Sequence, residues 1–501
     1  MGDSQFTIGT SMSDILATME REGRDPATIS LGINAMLCFV YDYLPEPPVS
    51  LTASLSLAGA SWVPDGVDRI SRLPDVLLRV IISRPPPRMP RAPPPSPRAG
   101  ARSGARRPWL FSTSISFRTA TRLPLPAPSP PLAMDKHRGE MARWLDILVA
   151  KVQELVFVNR PWPIDLRLPA TIFSCASLTR LYLGIWRLPD TAAVPHSVSF
   201  PNPRELGLCW NVMEDRDLAF MLERSPVLEF LGIMGSQTGV RVRLVSHSLR
   251  CVQLGFSFME DIDVVDAPRL ERLFQWETVS AVNSRAMANR SFRIKIGHAP
   301  NLRVLGYLQP GEQELVVVAG SKESIVPSAQ ILAMEVQFGV RNAVKKVPGF
   351  LRCFPNLETL HVQSTRILEE STGKVNLKFW QEGGPIECIL RSMKKLFFYE
   401  FRGSRSELTF LKFIAERGRV LDQMVVVVAS EYFSSGDNVN AKLKPLANAK
   451  WSSKACKLEL FRSPFEEVSG PPYCHEIASD FGFADPFDLQ YFPEAEMISI
   501  S

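Results

Sequence analysis

Between residues 152 and 362 the chain repeats one short phrase, apolar-x-x-apolar-x-apolar, often behind a Pro-x pair. It reads Val152/Leu155/Phe157, Leu178/Leu181/Leu183, Leu206/Leu208 behind Pro203, Leu228/Leu231/Ile233 and Leu249/Val252/Leu254. It continues as Leu270/Leu273, Leu302/Leu305/Tyr307, Ile331/Met334/Val336 and Leu357/Leu360/Val362. Successive middle residues lie 26, 25, 25, 21, 21, 32, 29 and 26 positions apart. Most of these steps fall in or near the range of about 20–29 residues for a stacked unit of one strand and its return. Inside each phrase the apolar residues alternate with period two, which places them on one side of a strand. Stacked units share a continuous core that no single unit closes alone. Several units open alike, with Ser225-Pro226, Ala267-Pro268, Ala299-Pro300-Asn301-Leu302 and Phe354-Pro355-Asn356-Leu357. The pattern predicts an α/β solenoid of degenerate leucine-rich repeats over 135–375; an ordinary αβ domain with leucine-rich strands is the alternative.

Residues that alternate with the inward leucines line the other, concave face of such a solenoid. They are Arg180, Tyr182, Phe230, Gln253, Arg272, Phe274, Trp276, Thr359 and His361. Aromatic and arginine side chains are enriched among the residues that dominate protein interfaces. The target-binding candidates are therefore Arg180, Tyr182, Phe230, Arg272, Phe274, Trp276 and His361. A one-residue slip exchanges the faces of a strand, and in that register Phe230 and Phe274 belong to the core instead.

Beyond the repeats the pattern changes. Phe379-Trp380-Gln381 leads into Ile386–Leu390, then the strand-like Lys394–Arg402, then Ser404 with Glu407 in capping-box spacing. Leu408, Leu411 and Ile414/Ala415 form a helical stripe, Gly418 suits a C-terminal cap, and Met424–Val428 is a second strand. Strand, loop, capped helix and strand make one αβ unit over 376–450, with a closing strand and tail over 451–501. The phrase Glu400-Phe401-Arg402-Gly403-Ser404-Arg405-Ser406-Glu407-Leu408-Thr409-Phe410-Leu411 resembles the FBD domain of plant F-box/leucine-rich-repeat proteins.

Upstream, Asp68–Ser83 carries a Leu73-Pro74-Asp75 turn and then Val76, Leu77, Val80 and Ile81 on one helical face. This resembles the first helix of an F-box, and the resemblance implies that Leu73, Pro74, Leu77, Val80 and Ile81 contact a Skp-type adaptor. The next segment breaks the pattern: 14 of the 47 residues of Pro85–Pro131 are proline, and none is Asp, Glu or Lys. Two readings fit. Such a composition cannot bury enough apolar surface to offset chain entropy, as in a disordered Pro/Arg-rich linker. Alternatively it is a frame slip in GC-rich coding sequence. With permissible codon choices, joining each codon's last base to the next codon's first two turns Arg98–Trp109 into S-R-W-R-A-L-W-R-S-A-P-L, similar to the end of plant F-boxes. The expected order is a mostly irregular extension (1–65), a partial helical F-box (66–84) and the Pro/Arg-rich segment (85–134). A lone helix of about a dozen residues is marginal in water, so this docking module is expected to be broken.

Charge alters the picture once. The net charge of +5 hints at nucleic acid, yet residues 76–134 hold ten arginines and no acid. The remainder carries 47 basic against 52 acidic residues, so no nucleic-acid partner is expected. No stretch reaches the roughly 18 apolar residues of a membrane helix, and no secretory pattern precedes the repeats. Membrane association is not expected, and the cytoplasm or nucleus is the expected compartment. Eight cysteines without a Cys-x-x-Cys pair read as small core residues, with no metal site. No phosphate-binding, nucleophile-elbow or zinc-protease motif is present, so neither catalysis nor a cofactor is expected. The family resemblance implies a substrate receptor of an SCF cullin–RING ubiquitin ligase. A repeat-only binding module without ligase recruitment, or the product of a decaying F-box gene, is the alternative.

Overall fold

The computed structural model describes Val40, Tyr43, 154–159, 166–195, 200–276, 292–310, 313–317, 325–365, 380, 384–429, 436–462, 475–489 and 496–498. The F-box-like helix, with Leu73, Pro74, Leu77, Val80 and Ile81, and the 85–134 segment lie outside the described residues. Among those described, no helix is long and apolar enough to cross a membrane. The chain divides into two compact units.

The first unit holds three parallel strands, β1 (Glu154–Val158), β2 (Arg180–Gly184) and β3 (Glu205–Asn211). Their register aligns Leu155, Leu181 and Leu206, the residues picked out by the repeat. Trp186 is fully buried, stacked on Phe157 at 4.6 Å, and donates its indole N–H to the Phe157 carbonyl at 2.9 Å. Asn211 bridges backbone, giving its amide to the Leu183 carbonyl and accepting from the Trp186 N–H.

The strand β4 (Phe230–Val245) contributes residues to both units. The second unit continues with β5 (Cys251–Asp266), β6 (Arg272–Trp276), β7 (Phe292–His298), β8 (Val304–Leu308), β9 (Gln313–Val317), β10 (Ile331–Val336) and β11 (Thr359–Ser364). It ends with β12 (Lys395–Phe401), β13 (Gln423–Val428), β14 (Lys457–Arg462) and β15 (Glu496–Ile498). The sheet order is β5-β6-β8-β10-β11-β12-β13-β14-β15, parallel up to β14, with β15 antiparallel on β14. Two strands escaped the repeat pattern. β7 pairs the second half of β5 and carries β9 on its other side. They occupy the two long gaps between Leu273, Leu305 and the next repeat.

The register aligns Val252, Leu273, Leu305, Leu332, Leu360, Leu396, Met424 and Leu458. The expected middle residue Met334 is thus replaced by Leu332. Apolar residues at 332, 334 and 336 share one face, so two registers a pair of residues apart satisfy the alternation equally. A shift in the β8–β10 ladder between Leu332 and Met334 decides between them. The ladder runs without a break from the repeats into the capped-helix region.

The shared opening phrases are turns with a physical reason. In each, the amide three residues on bonds back: Leu228 to Ser225, Leu270 to Ala267, Leu302 to Ala299 and Leu357 to Phe354, at 3.0–3.3 Å. Proline stands second in all four, where its fixed φ suits a β-turn. Asparagine adds a link between turns: Asn301 donates to the Pro268 carbonyl and Asn356 to the Pro327 carbonyl.

On one side of the sheet, Phe398 packs against Phe338 and against Phe410 of the helix Arg405–Arg417, and Trp380 packs against Phe410 and Phe413. That helix has the expected capping box. Ser404 Oγ accepts from the Glu407 amide at 3.2 Å, and Glu407 accepts from the Ser404 amide at 2.7 Å. Glu407, 1% exposed, also accepts from Ser364 Oγ and the Arg402 amide. Gly403 takes φ of 75°, the left-handed region that favours glycine. Gly418 does not, with φ of −71°. Its reason is contact, since a Cβ there would lie 3.0 Å from the Ile414 carbonyl oxygen.

Replacing Glu407 by Ala leaves three buried or half-buried donors without their acceptor. The expected loss is about 2–3 kcal/mol in urea denaturation, while Thr409→Ala on the same helix's exposed side stays within about 0.5 kcal/mol.

Candidate functional site

Seven residues were expected on one binding face, and the structure divides them. Arg180 and Tyr182 belong to the first unit; Phe230, Arg272, Phe274, Trp276 and His361 belong to the second. Arg180 is half-buried between Glu205, at 2.6 Å, and Glu154, at 3.4 Å. Tyr182 is buried and lies over Gly207, where any Cβ would overlap its ring. Phe230 is half-buried, and the backbone of Trp276 pairs with Gly255 at the end of β6.

In the second unit the alternation was read in the right phase. Ladder pairs Gln253–Phe274, Phe274–Gly306, Ala333–His361, His361–Phe397 and Phe397–Val425 run across the sheet on the side away from the inward leucines. The expectation that this face stands open is overturned. Arg272 is 4% exposed, and Phe274 and His361 are fully buried. Their cover is the chain's own segment 475–489, which crosses the strands as a strap.

Each contact of the strap has a distinct chemistry. Arg272 gives one guanidinium nitrogen to the carbonyls of Ala478 at 2.8 Å, Asp480 at 3.1 Å and Ile477 at 3.5 Å, and the other to Phe483. Phe481 lies under two guanidiniums, Arg250 at 3.8 Å and Arg272 at 4.8 Å from its ring centre. Phe487 is fully buried, edge-on to Phe274 and Tyr307, against a floor of Gly306 and Ala333. A Cβ on Gly306 would lie 3.0 Å from the Phe487 ring and 2.7 Å from the Ala333 Cβ. The small floor makes the pocket. Leu489 closes the row among Phe397, Tyr399, Val425 and Val427.

A polar chain runs through the centre. His361 Nε2 meets Asp485 Oδ2 at 3.0 Å, and its Nδ1 meets the Tyr399 oxygen at 3.1 Å. Burial keeps the Tyr399 phenol well above its ordinary pKa, with the nearby Asp485 and Asp488 charges adding to this. Its proton goes to the Phe487 carbonyl at 3.0 Å. One ring nitrogen of His361 thus faces the carboxylate and the other the phenol oxygen. Burial alone would raise the Asp485 pKa. The charge and hydrogen bond of His361, the Phe487 amide and Lys395 outweigh it and hold the group below the usual carboxylate range. Burial pushes the Cys251 thiol up to about 12, so it stays protonated and donates to the Ala478 carbonyl at 3.7 Å.

A sequence profile described as the leucine-rich repeats of FBD-associated F-box protein At5g56370 matches residues 141–362. A second, FBD, matches 381–426. The chain belongs to the F-box/leucine-rich-repeat/FBD family. A comparison with curated proteins gave no significant match. The structure gives the FBD phrase its physical content in this family member: Gly403 turns the chain, Glu407 ties β11 to the helix cap, and Phe401, Phe410 and Leu411 are fully buried. No cluster of potential metal ligands occurs among the described residues. The six described cysteines are free; Cys175, Cys209, Cys251 and Cys388 are buried, whereas Cys353 and Cys456 are half-exposed.

The strap was missed because its signal is ambiguous. Phe481, Phe483, Phe487 and Leu489 alternate with period two, which reads as a strand, yet the segment pairs with no strand and is held by side chains.

Phe487→Ala is expected to cost about 3–5 kcal/mol, as for other buried phenylalanines, read in chemical denaturation. Asp485 adds a pH dependence of known sign. A carboxyl whose folded pKa is depressed stabilises fully above its unfolded pKa, near 3.9, and loses that contribution as pH falls through the folded value. The wild-type chain therefore loses more stability than Asp485→Asn between about pH 5 and pH 2, measured as the shift in thermal midpoint.

Proposed function

We propose that this chain is by family a substrate-recognition subunit of an SCF-type cullin–RING ubiquitin ligase, without catalysis of its own and with its F-box interrupted by 85–131. The succession of an F-box-associated repeat profile over 141–362 and FBD over 381–426 carries this reading. In it, the strands and their faces hold a target protein, while Leu73, Pro74, Leu77, Val80 and Ile81 are the residues a Skp-type adaptor engages once the F-box is whole. The ligase chemistry belongs to the partner enzymes, and this chain supplies proximity. The cytoplasm or nucleus is where such a complex would work. A repeat-only module that captures a protein without recruiting a ligase is the second reading. It is favoured by the Pro/Arg-rich composition of 85–131, which displaces the rest of an F-box.

A pull-down with a purified Skp-type adaptor separates the two, using the chain as it stands and a version with 85–131 restored to the neighbouring frame. Retention of the restored chain alone is the expected outcome and marks a ligase receptor whose docking module is broken. Retention of both makes 85–131 a tolerated insertion. Retention of neither removes the ligase reading and leaves the repeat-only module.

A further inference from the structure

The strap-covered face has the makings of a receptor more than of a permanent core. Its main-chain contacts read carbonyls, which every peptide segment carries: those of Ile477 and Ala478, in the short helix His475–Ser479, and of Asp480 and Phe483 accept from Arg272, Ala478 also accepts from Cys251, and Phe487 accepts from Tyr399. Its selective features are few and local. They are a pocket of one aromatic ring's size floored by Gly306 and Ala333, the His361 imidazole that meets a carboxylate two residues ahead of it, and a pair of arginines that clasp a further ring. The strap supplies the complement as Phe481, Asp485 and Phe487. A buried His–Asp pair and a buried arginine are poor ways to stabilise a core, since apolar residues of similar volume often do as well or better. The strap itself forms no strand ladder with the sheet, and Gly482 and Ala484 in its middle are exposed.

We propose that this face is a binding site for an extended segment of a partner protein, with an aromatic residue two positions after an acidic one and a second aromatic ahead of them, and that the strap is its built-in competitor. The proposal rests on the target-binding reading above and assigns that role to one face and one ligand chemistry. Residues 475–489 are tethered to the sheet, so they compete at an effective concentration of order millimolar. A free segment of equal intrinsic affinity therefore binds weakly until the strap is loosened.

The test uses the full chain and a fluorescein-labelled synthetic peptide of residues 475–489, followed by fluorescence anisotropy. The Phe487→Ala chain is expected to bind the peptide at least about tenfold more tightly than the wild-type chain does. A peptide carrying Asp485→Asn and Phe487→Ala is expected to bind neither. A Phe487→Ala chain that unfolds cooperatively yet takes up no peptide overturns the proposal. Should that variant fail to fold, hydrogen exchange on the wild-type chain decides. Amides of 475–489 exchanging at least about tenfold faster than those of β11–β13, through local opening, support an exchangeable strap. Equal rates make it fixed core and overturn the proposal. No adaptor enters these assays, so a failed adaptor pull-down leaves this site standing. A failed peptide assay removes this face and leaves the ligase reading intact.

Discussion

One backbone constraint underlies the second unit. At the start of β5, β6, β8, β10, β11, β12 and β13 a single carbonyl, from the residue just before the preceding strand in the ladder, accepts two successive amides. Glu229 accepts from Arg250 and Cys251, Arg250 from Glu271 and Arg272, and Glu271 from Arg303 and Val304. Arg303, Gln330, Glu358 and Lys394 do the same for the strands that follow, at 2.8–3.1 Å. This clamp fixes where these seven strands begin, and so which side chain of each stands in which row. The aligned leucines follow from it, as does the row from Gln253 to Val425 on the other face. Because the clamp passes from β11 to β12 and from β12 to β13, the FBD region is added to the same ladder. A helix with a capping box takes the place of the shorter return.

With rows fixed, the face opposite the helices becomes a sequence of pockets at strand spacing, about 4.8 Å apart. A chain crossing the strands meets a new row every residue or two. The strap meets the rows in strand order: Ala478 over Cys251 and Arg272, Phe487 between Phe274 and His361, Leu489 over Phe397 and Val425. Its order comes from side chains that reach up to its carbonyls, so its hold depends on a few groups. One arginine serves four carbonyls, and one histidine joins the carboxylate of Asp485 to the phenol of Tyr399. The arrangement concentrates binding in few residues, as protein interfaces do.

Much of this was legible along the chain. Leu155, Leu181, Leu206, Val252, Leu273, Leu305 and Leu360 stand where the alternation put them, and Ser404 with Glu407 caps the helix that their spacing announced. Met334 was misplaced because three apolar residues at period two fit two registers a pair of residues apart on the same face, and only the neighbouring strand's register chooses. β7 and β9 were invisible to the repeat because they extend a side ladder on the long second half of β5. Arg272, Phe274 and His361 were rightly grouped on one face, but their exposure was not legible, because a partner some 120–210 positions away covers them.

The sequence by itself determined the period, the turns and the partition of residues between two faces. These are local properties, set by proline's φ, by alternation along a strand and by capping side chains within three residues of one another. Tertiary structure alone decided what lies on each face. The strap's alternating aromatics are compatible with a strand, a tail or a ligand. Their docking depends on a pocket assembled from Phe274, Gly306, Ala333 and His361, on four different strands. No window along the chain contains that pocket, because it exists only once the strands are clamped in register.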